Sequence, residues 1–184
     1  MTTNKLKTLT WEHHQAAERR KFARELIRGS IDPALYHKFL CCQYLCYQAL
    51  ELATDIPTYL TPIKRAPRIW ADIRELETEY KFEPPVEYPE SVNEYEAHVK
   101  ALKAKGDNHS LLAHMYVRHF GELHGGQIIK KKTPGSGTMY EFDMEKSFLI
   151  EEFRKLLDDD MADEAKTCFD FASKLFDELS KEIS

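Results

Sequence analysis

The chain has 184 residues, 42% of them hydrophobic and 31% charged, with a formal net charge of −5. That is enough chain for one domain with a sizeable core, and the composition excludes a disordered polymer and a general nucleic-acid binder, leaving room for a local basic patch. No run reaches the roughly 18–20 apolar residues of a membrane span, and the opening Met1-Thr-Thr-Asn-Lys-Leu-Lys7 has no signal-peptide core, so a cytoplasmic protein is expected.

Helical periodicity covers residues 5–28, with Leu6, Leu9, Phe22, Leu26 and Ile27 as anchors and Gly29 as a stop signal. Asp32-Pro33 then opens a second helix, Asp as N-cap and Pro in the first turn. It runs through Tyr36, Phe39, Leu40, Tyr44, Tyr47, Leu50 and Leu52 and stops before Pro57. Residues 62–80 predict a third helix around Ile69, Trp70, Ile73 and Leu76. A proline-punctuated connector spans 82–89, and Ser91 with Glu94 reads as a capping box for a fourth helix to Leu102. After Gly106-Asp-Asn108, a glycine-interrupted helix covers about 110–131, followed by a flexible loop over 133–138. Two closing helices carry Phe148, Phe153 and Leu156, then Cys168, Phe169, Phe171, Leu175 and Phe176. The only strand-period residues are those around Met139–Phe142, so the fold expected is an all-α single domain spanning 1–184. Cys41, Cys42, Cys46 and Cys168 include no C-x-x-C pair and read as reduced, structural thiols.

Two segments carry chemistry. In His114–Lys130 three glycines (Gly121, Gly125, Gly126) interrupt a helix, each at a cost of about 1 kcal/mol relative to alanine. Their spacing strips one face of side chains, so either a flat ligand approaches the backbone or another helix packs closely. They also loosen the helix enough to bend. On the first helix, His14 and Glu18 stand one turn apart, with Lys7 two turns earlier on nearly the same face. Such a set offers an imidazole, a carboxylate to orient it and a cation; an exposed surface pair is the plainer reading. His13 faces about 100° away from His14, so the two cannot share a site.

Read together, these segments resemble the heme oxygenase family. The matching stretches are Leu6-Lys7…Thr10-Trp-Glu12-His-His14-Gln-Ala-Ala17-Glu18, then Tyr44-Leu-Cys-Tyr47-Gln-Ala-Leu-Glu51, then Ala113-His-Met-Tyr116-Val-Arg118-His-Phe-Gly121-Glu-Leu-His-Gly-Gly-Gln127. Glu164–Phe169 and Leu175–Leu179 fit the family's last helix, so the likeness covers almost the whole chain.

The resemblance implies a helical bundle in which heme lies between a proximal N-terminal helix and a glycine-bent distal helix. It implies His14 as the iron ligand and Glu18 as the residue that tunes it. Gly121, Gly125 and Gly126 match the backbone against the heme face. Tyr47 and Glu122 match a distal water network that delivers a proton. Lys7, Arg154 and Tyr116 match propionate contacts, Phe169 an aromatic wall, and Arg118 a structural position. The activity implied is cleavage of heme, substrate and cofactor at once, by O2 and electrons from an external donor, to biliverdin (the IXα isomer by family default), CO and ferrous iron. The absence of a hydrophobic anchor before Ser184 resembles the compact soluble forms of cyanobacteria and their phages. That likeness implies ferredoxin or another reductase as donor and a downstream bilin reductase as partner; the purpose is pigment synthesis or iron release.

Three positions depart from the family pattern: Glu122 stands where aspartate is usual, His124 where a small residue is usual, and Trp11 where a second cation is usual. A heme carrier on the same scaffold, and a helical enzyme without heme affinity using Cys41, Cys42 and Cys46, are the rival readings.

Overall fold

The computed structural model describes residues 5–183, and helices follow one another along almost all of them. The stretch expected as one helix over 5–28 is three: α1 (Leu6–Leu9), α2 (Trp11–Glu18) and α3 (Lys21–Arg28). At the first junction the Thr10 hydroxyl donates to Leu6 O at 2.6 Å, offering the chain a local alternative to the helical ladder. At the second, Arg20 is extended, its guanidinium reaches Asp177 at 3.2 Å, and Phe22 N donates to Ser180 Oγ at 2.9 Å. Both partners lie at the far end of the sequence, which is why periodicity does not show this break. Gly29 ends α3 with φ 77°, the left-handed value that favours glycine.

Asp32 caps α4 (Pro33–Ala53) as expected, accepting from Ala34 N at 3.0 Å and Leu35 N at 3.4 Å. The inner face of α4 buries Tyr36, Phe39, Leu40, Cys42, Tyr47 and Leu50, whereas Leu52 points outward, 78% exposed. The third helix starts later than expected: a 3₁₀ turn occupies Thr58–Ile63 and α5 spans Ala66–Tyr80.

For α6 (Glu90–Ala104) the expected capping box is not made. The helix begins after Pro89, so Ser91 falls inside the first turn, buried with its hydroxyl unpaired, while Glu94 pairs with Lys174 at 2.8 Å. Asp107 caps α7 (Asn108–Lys130) through Ser110 N at 3.0 Å, and α7 stays helical through all three glycines. The loop expected to be flexible is tethered to α5: Ser136 N donates to Glu75 at 2.6 Å, and Thr138 N and Met139 N each donate to Asp72 at 2.9 Å. Residues Thr138–Tyr140 form a 3₁₀ turn rather than a strand.

After α8 (Lys146–Arg154), α9 (Ala162–Ser180) closes the bundle against α2, α3, α6 and α7, while α4 packs on α5, α6 and α7. Ring contacts of Phe22 with Phe39 at 5.0 Å and with Phe176 at 5.8 Å tie the N-terminal helices to that core. Among the described residues no helix is long and apolar enough to cross a membrane.

Candidate functional site

His14 on α2 is half-buried between two aromatic rings. Phe169 of α9 stacks on it at 5.3 Å with planes 13° apart, and Trp11 meets it edge-on at 5.4 Å. Its Nε2 lies 2.7 Å from Glu18 Oε1. One ring nitrogen held by Glu18 leaves the other available to a metal ion. His13 points elsewhere, 3.9 Å from Asp170.

The three glycines of α7 divide into two roles. A Cβ built on Gly121 or Gly125 meets nothing within 4 Å, so these positions form a bare, open strip one turn apart. A Cβ on Gly126 would stand 2.7 Å from Tyr140 Cδ1, and Gln127 Nε2 donates to Tyr140 O at 2.9 Å. Gly126 and Gln127 therefore seat the 138–140 turn on the opposite side of the helix, which is the close-packing reading, while Gly121 and Gly125 keep the ligand reading. Gly121→Ala and Gly125→Ala are expected to raise stability by up to about 1 kcal/mol, as glycine-to-alanine changes in helices do, whereas Gly126→Ala is expected to lower it by about 1–3 kcal/mol through overpacking. Thermal melting of the three variants reads this directly, and equal shifts would dissolve the distinction.

Glu122, on the same stretch, is buried, and burial pushes its carboxyl above the ordinary carboxylate range. Tyr47 of α4 donates its phenol to Glu122 Oε1 at 2.6 Å and also lies 3.0 Å from Arg118 O. Burial beside Glu122 drives the Tyr47 phenol well above its usual pKa, so it remains a donor. Glu122 Oε2 has no hydrogen-bond partner among the described residues. The Arg118 guanidinium is wedged over the rings of Tyr95 at 4.2 Å and Tyr47 at 5.6 Å.

Behind this pair lies a dyad that sequence reasoning missed. His119 Nε2 is 2.7 Å from Glu51 Oε2, both groups are buried, and the His119 ring stands 5.0 Å from Tyr47. Glu51 also accepts from Arg65 N at 2.6 Å and Ala66 N at 3.0 Å, so a side chain of α4 caps α5. Its one sequence signal is the acidic end of the Tyr44–Glu51 stretch. Burial pushes the Glu51 carboxyl up, but His119 and the two backbone donors outweigh it and hold the group below its ordinary value. Its stabilisation is full above the ordinary carboxylate range and is lost as pH falls through the lower folded-state value. Glu51→Gln is expected to cost about 2 kcal/mol, the range for hydrogen bonds to a charged group. Urea unfolding at neutral pH measures it, and the difference from the parent should shrink on acidification; a constant difference would argue against the charge.

Lys7 and Arg154 form a cationic flank. Lys7 Nζ lies 5.9 Å from the Trp11 ring centroid, and Arg154 Cζ 6.0 Å from that of Phe120. Neither makes an ion pair with a described carboxylate. His124 lies close enough to both that partial burial, then Arg154, then Lys7 lower its pKa. A groove of about 560 Å³ runs past His124, Ile150 and Arg154. Tyr116 packs edge-on against Phe120 at 5.2 Å. The structure thus brings the Lys7–His14 segment, the outer face of α7 and the end of α8 to one region. This arrangement fits heme: an imidazole for iron, a strip without side chains for a flat macrocycle, and unpaired cations for two carboxylates. Trp11 walls one side of His14.

Comparison with known proteins agrees. The family model described as "Heme oxygenase" matches residues 1–178. Heme oxygenase from Porphyra purpurea is 27% identical across 98% of this chain and 87% of its own length. Heme oxygenase 1 from Nostoc sp. is 27% identical across 96% of this chain and 84% of its own. Heme oxygenase 2 from Macaca fascicularis is 28% identical across 96% of this chain and 64% of its own, so these matches favour no one branch. Among solved structures, heme oxygenase-1 from Synechocystis sp. PCC6803, in complex with heme, superposes with a TM-score of 0.83 at 24% identity, covering 97% of this chain and 91% of that one. Heme oxygenase from Leptospira interrogans gives 0.81 at 24% identity, over 95% and 97%. With a family match over nearly its full length and the same all-helical fold, the chain belongs to the heme oxygenase family of heme-degrading enzymes.

Proposed function

We propose that this chain cleaves heme to biliverdin IXα, CO and ferrous iron, using O2 and electrons from ferredoxin or a similar reductase. The observation that carries the reading is the pairing of an open glycine strip with Glu122, a buried carboxyl adjoining that strip with one oxygen unpartnered.

Heme supplies the iron that activates O2 and is itself the molecule oxidised. The protein's part is placement. His14, stacked on Phe169 and oriented by Glu18, would supply the ligand nitrogen, and Lys7, Arg154 and Tyr116 would hold the propionates. Gly121 and Gly125 leave a strip of backbone without side chains, against which a flat macrocycle would lie without a side-chain acid beside it. Glu122, aimed by Tyr47 through Oε1 and with its carboxyl raised by burial, would take up or release a proton at its unpartnered Oε2 through water. The extra methylene of glutamate is taken up in reaching the Tyr47 phenol. Exposed Arg19, Lys21, Arg24 and Arg28 put positive charge on an acidic chain beside α2, which suits an acidic ferredoxin.

Titrating purified protein with heme, then adding reduced ferredoxin or ascorbate in air, tests this. A Soret band that forms and then gives way to bilin absorbance with CO release is expected. A Soret band that persists under reductant would make the chain a heme carrier.

A further inference from the structure

A separate polar cluster, built from none of the residues assigned to heme, lies where α6, α7 and α9 meet. Glu164 Oε1 is 2.5 Å from His98 Nε2 and 2.7 Å from His114 Nε2, and all three donor atoms lie within 4.8 Å of one another. We propose that His98, His114 and Glu164 form a second metal site, for a divalent transition ion of the zinc type.

Two imidazoles and one carboxylate are a ligand set that zinc takes in open sites, with bonds of roughly 2.0–2.2 Å. Around such an ion, tetrahedral ligand atoms stand about 3.4 Å apart, so both hydrogen-bond separations need to widen by less than about 1 Å. A second observation supports the assignment: the buried Tyr95 hydroxyl lies 2.9 Å from His114 Nδ1. That contact occupies the far nitrogen and aims Nε2 at Glu164, as partners behind metal-bound histidines do. The ring of His98 is held by Phe171 at 5.4 Å and by His114 at 5.4 Å.

Access is one-sided. The His114 side chain is wholly buried, while those of His98 and Glu164 are 30% and 22% exposed. An ion can enter from solvent on that side, where water completes its coordination. The ligands come from positions 98, 114 and 164 on three helices, so the ion cross-links α6, α7 and α9. Its role is structural, bracing α7 two turns before Glu122. A plain hydrogen-bonded cluster is the competing account, and it takes up no metal.

The test uses the full-length protein carrying His14→Ala, which removes the His14–Glu18 pair as a rival zinc site. After chelator treatment it is titrated with zinc chloride by calorimetry and with cobalt(II) by visible absorption. One equivalent bound is expected, with ligand-field bands showing nitrogen and oxygen donors in an asymmetric site. Adding His98→Ala or Glu164→Gln should weaken zinc at least tenfold, and saturating zinc should raise the melting temperature of the His14→Ala parent but not of these variants. His98 is partly exposed, so its variant decides the matter even if Glu164→Gln fails to fold. No stoichiometric binding by the parent, or unchanged affinity on His98→Ala, overturns the proposal.

Discussion

His14→Ala protein is expected to lose at least a hundredfold in heme turnover and to bind heme without the spectrum of an imidazole-ligated iron. Altering a group that merely orients a metal ligand costs 10–100-fold in affinity or activity, and removing the ligand itself costs more. Two controls sharpen the result. His13→Ala should behave as the parent, because His13 turns away toward Asp170. Glu18→Ala should sit between, since it loses the 2.7 Å contact but keeps the imidazole. Added imidazole should partly restore the His14→Ala spectrum, because Phe169 and Trp11 leave a ring-shaped slot. A His14→Ala protein with parental spectrum and turnover would move the ligand to another histidine and undo the site.

Glu122→Gln is the second large effect: turnover should fall about a hundredfold, the scale of a lost acid–base group, while heme affinity stays near the parent's. Glutamine keeps the length and can still accept from Tyr47, but it carries no titratable proton. Glu122→Asp is the more searching variant. It keeps the charge and withdraws the carboxyl by about one bond, breaking the 2.6 Å contact with Tyr47. Misplacement of about 1 Å can cost as much as a hundredfold, so aspartate should impair this chain. Full activity in Glu122→Asp would mean that Tyr47 does not position the carboxyl. Measuring single-turnover heme loss separates the chemistry from heme binding in all of these.

The parts of the molecule that depend on neighbours along the chain were legible from residues alone. Asp32-Pro33 and Gly29 mark helix ends through local geometry, and both do so in the structure. The grouping of His14 with Glu18, and the side-chain-free strip at Gly121 and Gly125, follow from helical spacing. What depends on distant partners was not legible. Thr10 and Arg20 interrupt the first helix, the latter because α9 supplies its contacts. Ser91 fails as a cap because Pro89 already starts the helix. Gly126 looks like its neighbouring glycines until Tyr140, brought back by a tethered loop, is seen against it. Glu51 and His119 are 68 residues apart and meet only once α4 and α7 pack.

The cysteines of α4 have a consequence for a protein of a heme-degrading family. Cys41, Cys42 and Cys46 are buried, and burial pushes all three thiols up, Cys41 to about 12 and Cys46 to about 11. Oxidants attack the thiolate, and attack requires access. A protein of a heme-degrading family thus keeps these three thiols protonated and shut away.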